Sequence, residues 1–291
     1  MLYAGVELGG TKCVAILAGG PDDVRAREII PTTSPEETLA RIENTLLGWK
    51  DQQAFDALGI ASFGPVDVDR SSPTFGHVLS TPKAGWAQTN VGQLLADALG
   101  VPTAFDTDVN GAALAEMKWG SGRGFSDFAY VTVGTGVGVG LIVDGKPTRG
   151  FGHCELGHVR VARLPGEEWP GSCPFHGDCV EGLAAGPSLR ARFGDDLDNL
   201  APHHPVWDSV AWTLAQLCHI IVCASAPRRI AIGGGVMEQQ PHLLARIQSN
   251  LVESLNGFIH LPPDGDYVRT PELGKDAGPL GAIALAMKAQ R

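Results

Sequence analysis

The 291-residue chain is short of several features that would assign it a class at once. Its six cysteines are too few and too scattered to form a disulfide framework. Of these, Cys13, Cys218 and Cys223 read as small buried apolar residues. It has no basic run: 22 Lys and Arg stand against 32 Asp and Glu, for a formal net charge of -10. Nothing could therefore follow a phosphate backbone, and nucleic acid is not an expected partner. The opening MLYAGVELGG has neither the basic nor the long apolar region of a leader peptide. No uninterrupted apolar stretch reaches about 18 residues, so neither a leader nor a membrane span is expected, and a cytoplasmic protein is. Low-complexity tails and obvious linkers are missing too. What remains is a composition of 44% hydrophobic and 19% charged residues with 38 glycines. That describes a loop-rich globular protein long enough for two domains.

Hydrophobic patterning supplies the organisation. "LYAGVEL" and "CVAILAG" read as two strands joined by "GGTK", followed by a strand near "VRAREIIP". "SPEETLARIENTLLGW" opens with Ser34-Pro35 and sets Leu39, Ile42, Leu46 and Leu47 on one face, which predicts a capped amphipathic helix. "FDALGIASFG" returns as a buried strand, and "NVGQLLADALG", "PTAFD" and "DVNGAALAEMKWG" follow as helix, strand and helix. Strands and helices alternate, so the fold class is α/β. At "FAYVTVGTGVGVGLIVDG" the strand, glycine tip and strand of the opening return. This repetition predicts two domains, residues 1–118 and 119–291, with the last helix, about 277–290, packing back on the first.

Three glycine clusters carry chemistry. "GGTK" (Gly9, Gly10, Thr11, Lys12) is no P-loop, because the required spacing is absent and a strand follows it. A glycine-tipped hairpin still lets backbone N–H groups converge on an anion. The same device recurs around Thr132, Gly134, Thr135 and Gly136. A strand then ends at Gly233 and Gly234, where open α/β sheets place ligands. Together they predict ATP held between two domains. No G-x-G-x-x-G joins a strand to a helix, which argues against a dinucleotide oxidoreductase.

Asp108 falls where a strand meets a helix, and both an N-cap and a catalytic carboxylate fit that place. Asn110 follows, as a hydrogen-bonding partner for a polyol or as an exposed helical residue. Farther on, Cys173, His176 and Cys179 form C-x2-H-x2-C, with His158 fifteen residues before Cys173. This set predicts a closed Cys2His2 site for structural Zn2+, with His153 and Cys154 ranked second. Glu155 and Glu181 flank the donors and would be held by the metal, ready to accept hydrogen bonds from sugar hydroxyls. Because the glycine clusters lie elsewhere in the sequence, removing the metal is expected to spare the nucleotide site.

In order and spacing, "ELGGTK", "DTDVNGAALAE", "VTVGTGVGVGLI" and "GHCELGHVRV...CPFHGDCVEGL" resemble the ROK family of sugar kinases, within the two-domain actin-like ATPase (ribonuclease H-like) fold, and most closely its fructokinase branch. The resemblance covers nearly the whole chain. It implies Asp108 as catalytic base, Glu155, His158 and Glu181 at the sugar, and His158, Cys173, His176 and Cys179 as zinc ligands. "SFGPVD", with Gly64 and Pro65, and "STPKAGW" look like further sugar-side segments. Glu7 stands where many members have Asp, and its hard carboxylate suits Mg2+ through water. Thr107 stands where many have Asn, and Cys-His-Cys where several have three cysteines. The resemblance implies an ATP-dependent hexose kinase with its active site in the interdomain cleft, acting on O6 of fructose, and a homodimer. Glucose, mannose and N-acylmannosamine are the alternative sugars. A sugar-sensing regulator is the alternative class; such regulators carry an N-terminal DNA-binding module, and the first phosphate strand opening at Leu2 is expected to leave none here.

Overall fold

A computed structural model describes residues 1–263 and 265–289; Gln290, read above as part of the last helix, lies outside them. The chain divides into two compact units. One comprises Met1–Gly124, Pro147–Cys154 and Lys275–Arg291, and the other Phe125–Lys146 and Glu155–Gly274. The division thus falls at Gly124, and the chain returns to the first unit twice.

In the first unit, β1 (Tyr3–Leu8), β2 (Lys12–Gly20) and β3 (Asp23–Pro31) form an antiparallel run. After α1 (Pro35–Gln52), β4 (Ala57–Ser62) pairs parallel to β1. Beyond α2 (Gly92–Leu99), β5 (Thr103–Thr107) pairs parallel to β4 and leads directly into α3 (Asp108–Trp119). The sheet order is β3-β2-β1-β4-β5. Ser34 caps α1 as its sequence predicts, its hydroxyl accepting from the Glu37 N–H at 3.3 Å, with Pro35 in the first turn. Ile42 and Leu46 then enter a core with Leu58, Ile60, Leu95 and Trp86.

The second unit repeats this plan. β6 (Phe128–Val133) and β7 (Val137–Val143) make an antiparallel hairpin bordered by the short β8 (Lys146–Pro147). Next come α4 (Val180–Ala184), α5 (Gly186–Phe193) and α6 (Val206–Ser225), then β9 (Ile230–Gly233) parallel to β6. α7 (Gly235–Gln239), α8 (Leu243–Leu255) and β10 (Val268–Arg269) complete it, in the order β10-β9-β6-β7-β8. α6 is long and apolar enough, by composition, to cross a bilayer. Its buried face, including Val210, Leu214, Leu217 and Ile221, instead fills the core of this unit. Cys218 is buried on that face, whereas Cys223, read as buried from the sequence, is exposed on the opposite side of the helix.

The last helix, α9 (Ala277–Ala289), belongs to the first unit and lies on β1 and β4. Small residues allow that approach. A Cβ at Gly59 would stand 1.9 Å from the carbonyl oxygen of Ala282, and one at Gly281 would stand 2.4 Å from the backbone of Gly111 in α3. Backbone therefore meets backbone, and no rotamer change can make room. Gly59→Ala is expected to cost about 3 kcal/mol or more in urea unfolding. Gly48→Ala, in α1 with open space around it, should stabilise by about 0.5–1 kcal/mol.

Candidate active site

The first glycine hairpin is built on a tight β1–β2 turn. The Gly9 N–H donates to the Lys12 carbonyl at 3.1 Å, and a Cβ at Gly9 would sit 2.5 Å from that oxygen. Gly10 faces open space, so its backbone is approachable from outside. Lys83, from "STPKAGW", donates its ammonium to the Gly10 carbonyl at 2.6 Å. Glu7, on β1 beside this turn, lies against the amino end of α9, where a Cβ on Gly278 would be 2.0 Å from its Oε1. Burial raises the Glu7 pKa, against the opposing charges of Lys12 and Arg27.

At the β5–α3 junction, Thr107 is the N-cap, its Oγ1 accepting from the Asn110 N–H at 3.2 Å. Asp108 occupies the first helical position, half-buried, its Oδ1 accepting from the Val109 N–H at 2.8 Å. The cap read as one option for Asp108 therefore falls to Thr107, and Asp108 sits in the first turn of α3, at the positive end of the helix dipole. Asn110 is buried, not the exposed helical residue of the alternative reading, and its Nδ2 donates one hydrogen bond to Asp106 at 2.8 Å.

Asp106 was not anticipated from the sequence. It is buried, accepts from the Thr107 N–H at 2.8 Å, and pairs with the guanidinium of Arg149, which also donates to the Val68 carbonyl. His153, ranked above as a second-choice metal ligand, accepts at Nε2 from the Val66 N–H at 3.0 Å, with Nδ1 near the Cys154 carbonyl at 3.3 Å. That pattern selects the Nδ1-protonated neutral ring. Residues 147–154 are thus fastened to the Gly64-Pro65-Val66 segment, whose Gly64–Pro65 bond is cis. Pro65 in turn accepts from the Leu79 N–H at 2.8 Å, which ties its segment to the residue just before "STPKAGW".

In the second unit, His158, Cys173, His176 and Cys179 converge, their donor atoms all within 4.8 Å of one another. Nδ1 of His158 lies 3.7 Å from the Cys173 sulfur and 3.6 Å from that of Cys179, and Nδ1 of His176 lies 3.7 Å from Cys173. A tetrahedral ion with metal–nitrogen and metal–sulfur bonds of about 2.05 and 2.3 Å spaces N and S donors about 3.6 Å apart, so the set fits one. Paired hydrogen bonds between Cys173 and Gly177 close the small turn carrying Cys173 and His176. Burial, with Cys173 alongside, raises the Cys179 thiol pKa, so a bound cation must displace its proton. Glu155 is exposed. Glu181 stands with Oε1 4.0 Å from Nε2 of His158, while its Oε2 accepts from the Val137 N–H at 3.2 Å.

That last contact reaches the second glycine hairpin, where the Gly134 N–H donates to the Gly136 carbonyl at 2.9 Å. A Cβ on Gly136 would fall 2.6 Å from Oε2 of Glu181, so a side chain there disturbs both groups. At the end of β9, Gly234 has φ +94° and packs where a Cβ would meet the Val133 backbone and the Thr132 hydroxyl within 2.5–2.8 Å. Beside these glycines opens a cavity of about 990 Å³, walled by Gly134, Thr135, Pro187, Leu189, Trp207 and Val236. Its size and apolar walls suit a nucleoside, with the glycine hairpin at one edge for phosphates.

Glu167, ahead of the donor loop, also escaped sequence reading. Its nearly buried carboxylate accepts from Arg192 at 2.9 Å, the Ser209 hydroxyl at 2.5 Å and the Trp169 N–H at 2.8 Å. Although burial opposes ionisation, these donors hold its pKa down at about 2. Because the folded value lies below the unfolded one, the stabilisation is complete above about pH 4.5 and is lost as pH falls toward 2. Glu167→Gln should cost on the order of 2 kcal/mol at pH 7. The gap between variant and wild type should narrow in chemical unfolding below about pH 4.

The family model described as the ROK family matches residues 3–289. A fructokinase of Zymomonas mobilis is 40% identical over 296 residues, covering 99% of this chain and 97% of its own. A fructokinase of Lactococcus lactis is 39% identical, covering 98% and 96%. Among solved structures, a ROK hexokinase from Thermus thermophilus superposes with a TM-score of 0.78 at 26% identity, covering 99% of this chain and 98% of its own.

Proposed function

This chain belongs to the ROK family, and we propose from that premise that it is an ATP- and Mg2+-dependent fructokinase acting on the O6 hydroxyl of fructose. The observation that carries the reading is 39–40% identity with fructokinases over nearly the whole chain, on a chain whose glycine hairpins, Asp108 and four-donor loop all stand in order.

In this reading the backbone of Gly9–Lys12 and of Gly134–Gly136 receives phosphate oxygens, and Gly233, the end of β9, and Gly234 stand just ahead of Gly235, a glycine that lines the nucleoside cavity. Glu7 orients Mg2+ through water. Its charged form is penalised by burial, and a nearby divalent cation would offset that penalty. Asp108 positions the attacking hydroxyl and takes its proton late. Phosphoryl transfer through a loose transition state asks for little more of a base. Gly64, Pro65, Glu155, His158 and Glu181 border the sugar, their acceptors matching its hydroxyls. The four-donor site takes Zn2+. Because all four ligands are protein groups, the ion fixes the loop and generates no hydroxide.

The deciding experiment is ADP release across fructose, glucose, mannose and N-acetylmannosamine. Fructose should give the highest kcat/KM, and a tenfold preference for another hexose, about 1.4 kcal/mol, moves the assignment to that sugar. Sugar binding with no ADP release from any of the four would instead favour a regulator. Asp108→Asn leaves the Thr107 cap in place, so it should fold as the parent does. Its kcat should fall roughly 100-fold or more with sugar affinity kept. Turnover near the parent value would remove Asp108 from the chemistry.

A further inference from the structure

The glycine clusters and the metal-donor loop are far apart in sequence, which predicts that they act independently. The fold brings the second cluster and the flanks of the donor loop into contact at two points, with a third contact beside them from α5. Oε2 of Glu181, two residues after Cys179, accepts from the Val137 N–H at 3.2 Å. Gly157, the residue before His158, lies so close to the same residue that a Cβ would be 1.7 Å from the Val137 carbonyl oxygen. The Gly186 N–H, where α5 begins, donates to the Gly134 carbonyl at 2.8 Å. Val137 is therefore held at its N–H by Glu181 and packed at its carbonyl by Gly157, each within two residues of a metal donor, and the other shoulder of the hairpin is held from α5.

We infer that the donor loop is a positioning element for the nucleotide hairpin: Glu181 and Gly157 fix the backbone of Val137 on its two sides, so the state of the four donors sets nucleotide affinity even without sugar. The inference rests on the kinase reading for what the hairpin binds. A glycine tip has many conformations to lose, and only one orientation points its N–H groups at a phosphate. Fixing that orientation beforehand removes an ordering cost from binding. The contacts run in series, the His158–Glu181 approach being longer than a hydrogen bond. Nδ1 of His158 faces the two sulfurs, its Nε2 lies 4.0 Å from Oε1 of Glu181, and the other oxygen of that carboxylate holds Val137. Loosening His158 removes one restraint on Glu181 and, through Glu181, one on the hairpin. Glu181 is thus a positioning residue for nucleotide in addition to its proposed contact with sugar.

Two readouts test this, neither of them turnover. Calorimetric titration with Mg·ADP in the absence of sugar should show Glu181→Ala weakened roughly tenfold, the size of one lost charge-assisted hydrogen bond. Glu181→Gln, whose amide oxygen can still accept from Val137, should stay within about twofold of the parent, while both variants lose sugar affinity. Parent protein stripped of metal by a chelator should follow Glu181→Ala. Amide hydrogen exchange across residues 134–140 should accelerate in Glu181→Ala and in the stripped protein. Parent-like Mg·ADP affinity and parent-like exchange in both would overturn the inference. Should Glu181→Ala fail to fold, the stripped parent and Glu181→Gln decide on the same criteria. If the parent itself binds no Mg·ADP, the nucleotide reading falls, and the exchange rates alone judge whether loop and hairpin are coupled.

Discussion

Backbone touching backbone, with no side chain between, is the contact on which both units are built. In the first unit α9 can lie on the sheet only because Gly59 offers nothing beyond its Cα to the Ala282 carbonyl, and α3 meets α9 through Gly111 and Gly281. In the second, Gly157 lies on Val137, and Gly171 and Gly182 both close on the Gly177 carbonyl. The 38 glycines that read from composition as loops are thus partly packing residues in a tightly stacked interior. The same lack of Cβ atoms leaves the hairpin tips open to an incoming anion. One residue type therefore serves architecture and recognition together.

The acidic balance follows a second rule, that a carboxylate withdrawn from water needs donors close at hand. Asp106 has Arg149, Asn110 and the Thr107 N–H, while Glu116 receives both the N–H and the hydroxyl of Ser121. Glu167 is served by three donors and remains ionised far into acid. Glu7 differs, because burial outweighs the pull of Lys12 and Arg27. It stands beside the first glycine turn, where a divalent cation would relieve it. A carboxylate held at an energetic disadvantage is a reasonable mark of a site that acts on a ligand.

Local features were legible in the sequence, and distant ones were not. The two hairpins, the capped α1, the strand-to-helix junction at Asp108 and the C-x2-H-x2-C turn each leave a signal within a few residues, as periodicity or fixed spacing. The pairing of Asp106 with Arg149 spans 43 residues, and nothing in either neighbourhood announces the other. Cap geometry was ambiguous for a similar reason, since Thr107 and Asp108 are both good caps and backbone dihedrals decide between them. Cys223 shows the limit of a type-based rule: small thiols favour interiors, yet the helix turns this one outward. The division of the chain was harder still, because residues 147–154 return to the first unit by contacts such as those of Arg149 and His153, not by any shift in composition.

The place of α9 in the fold bears on how the protein is made. The sheet faces of β1 and β4 that α9 covers leave the ribosome early, and their cover is synthesised only after the second unit, about 150 residues later than Gly124. At translation rates of roughly 5–20 residues per second, that apolar surface waits on the order of 10–30 s for its helix. The nascent first unit is thus incomplete throughout the birth of the second, and the faces of β1 and β4 stay uncovered until α9 emerges.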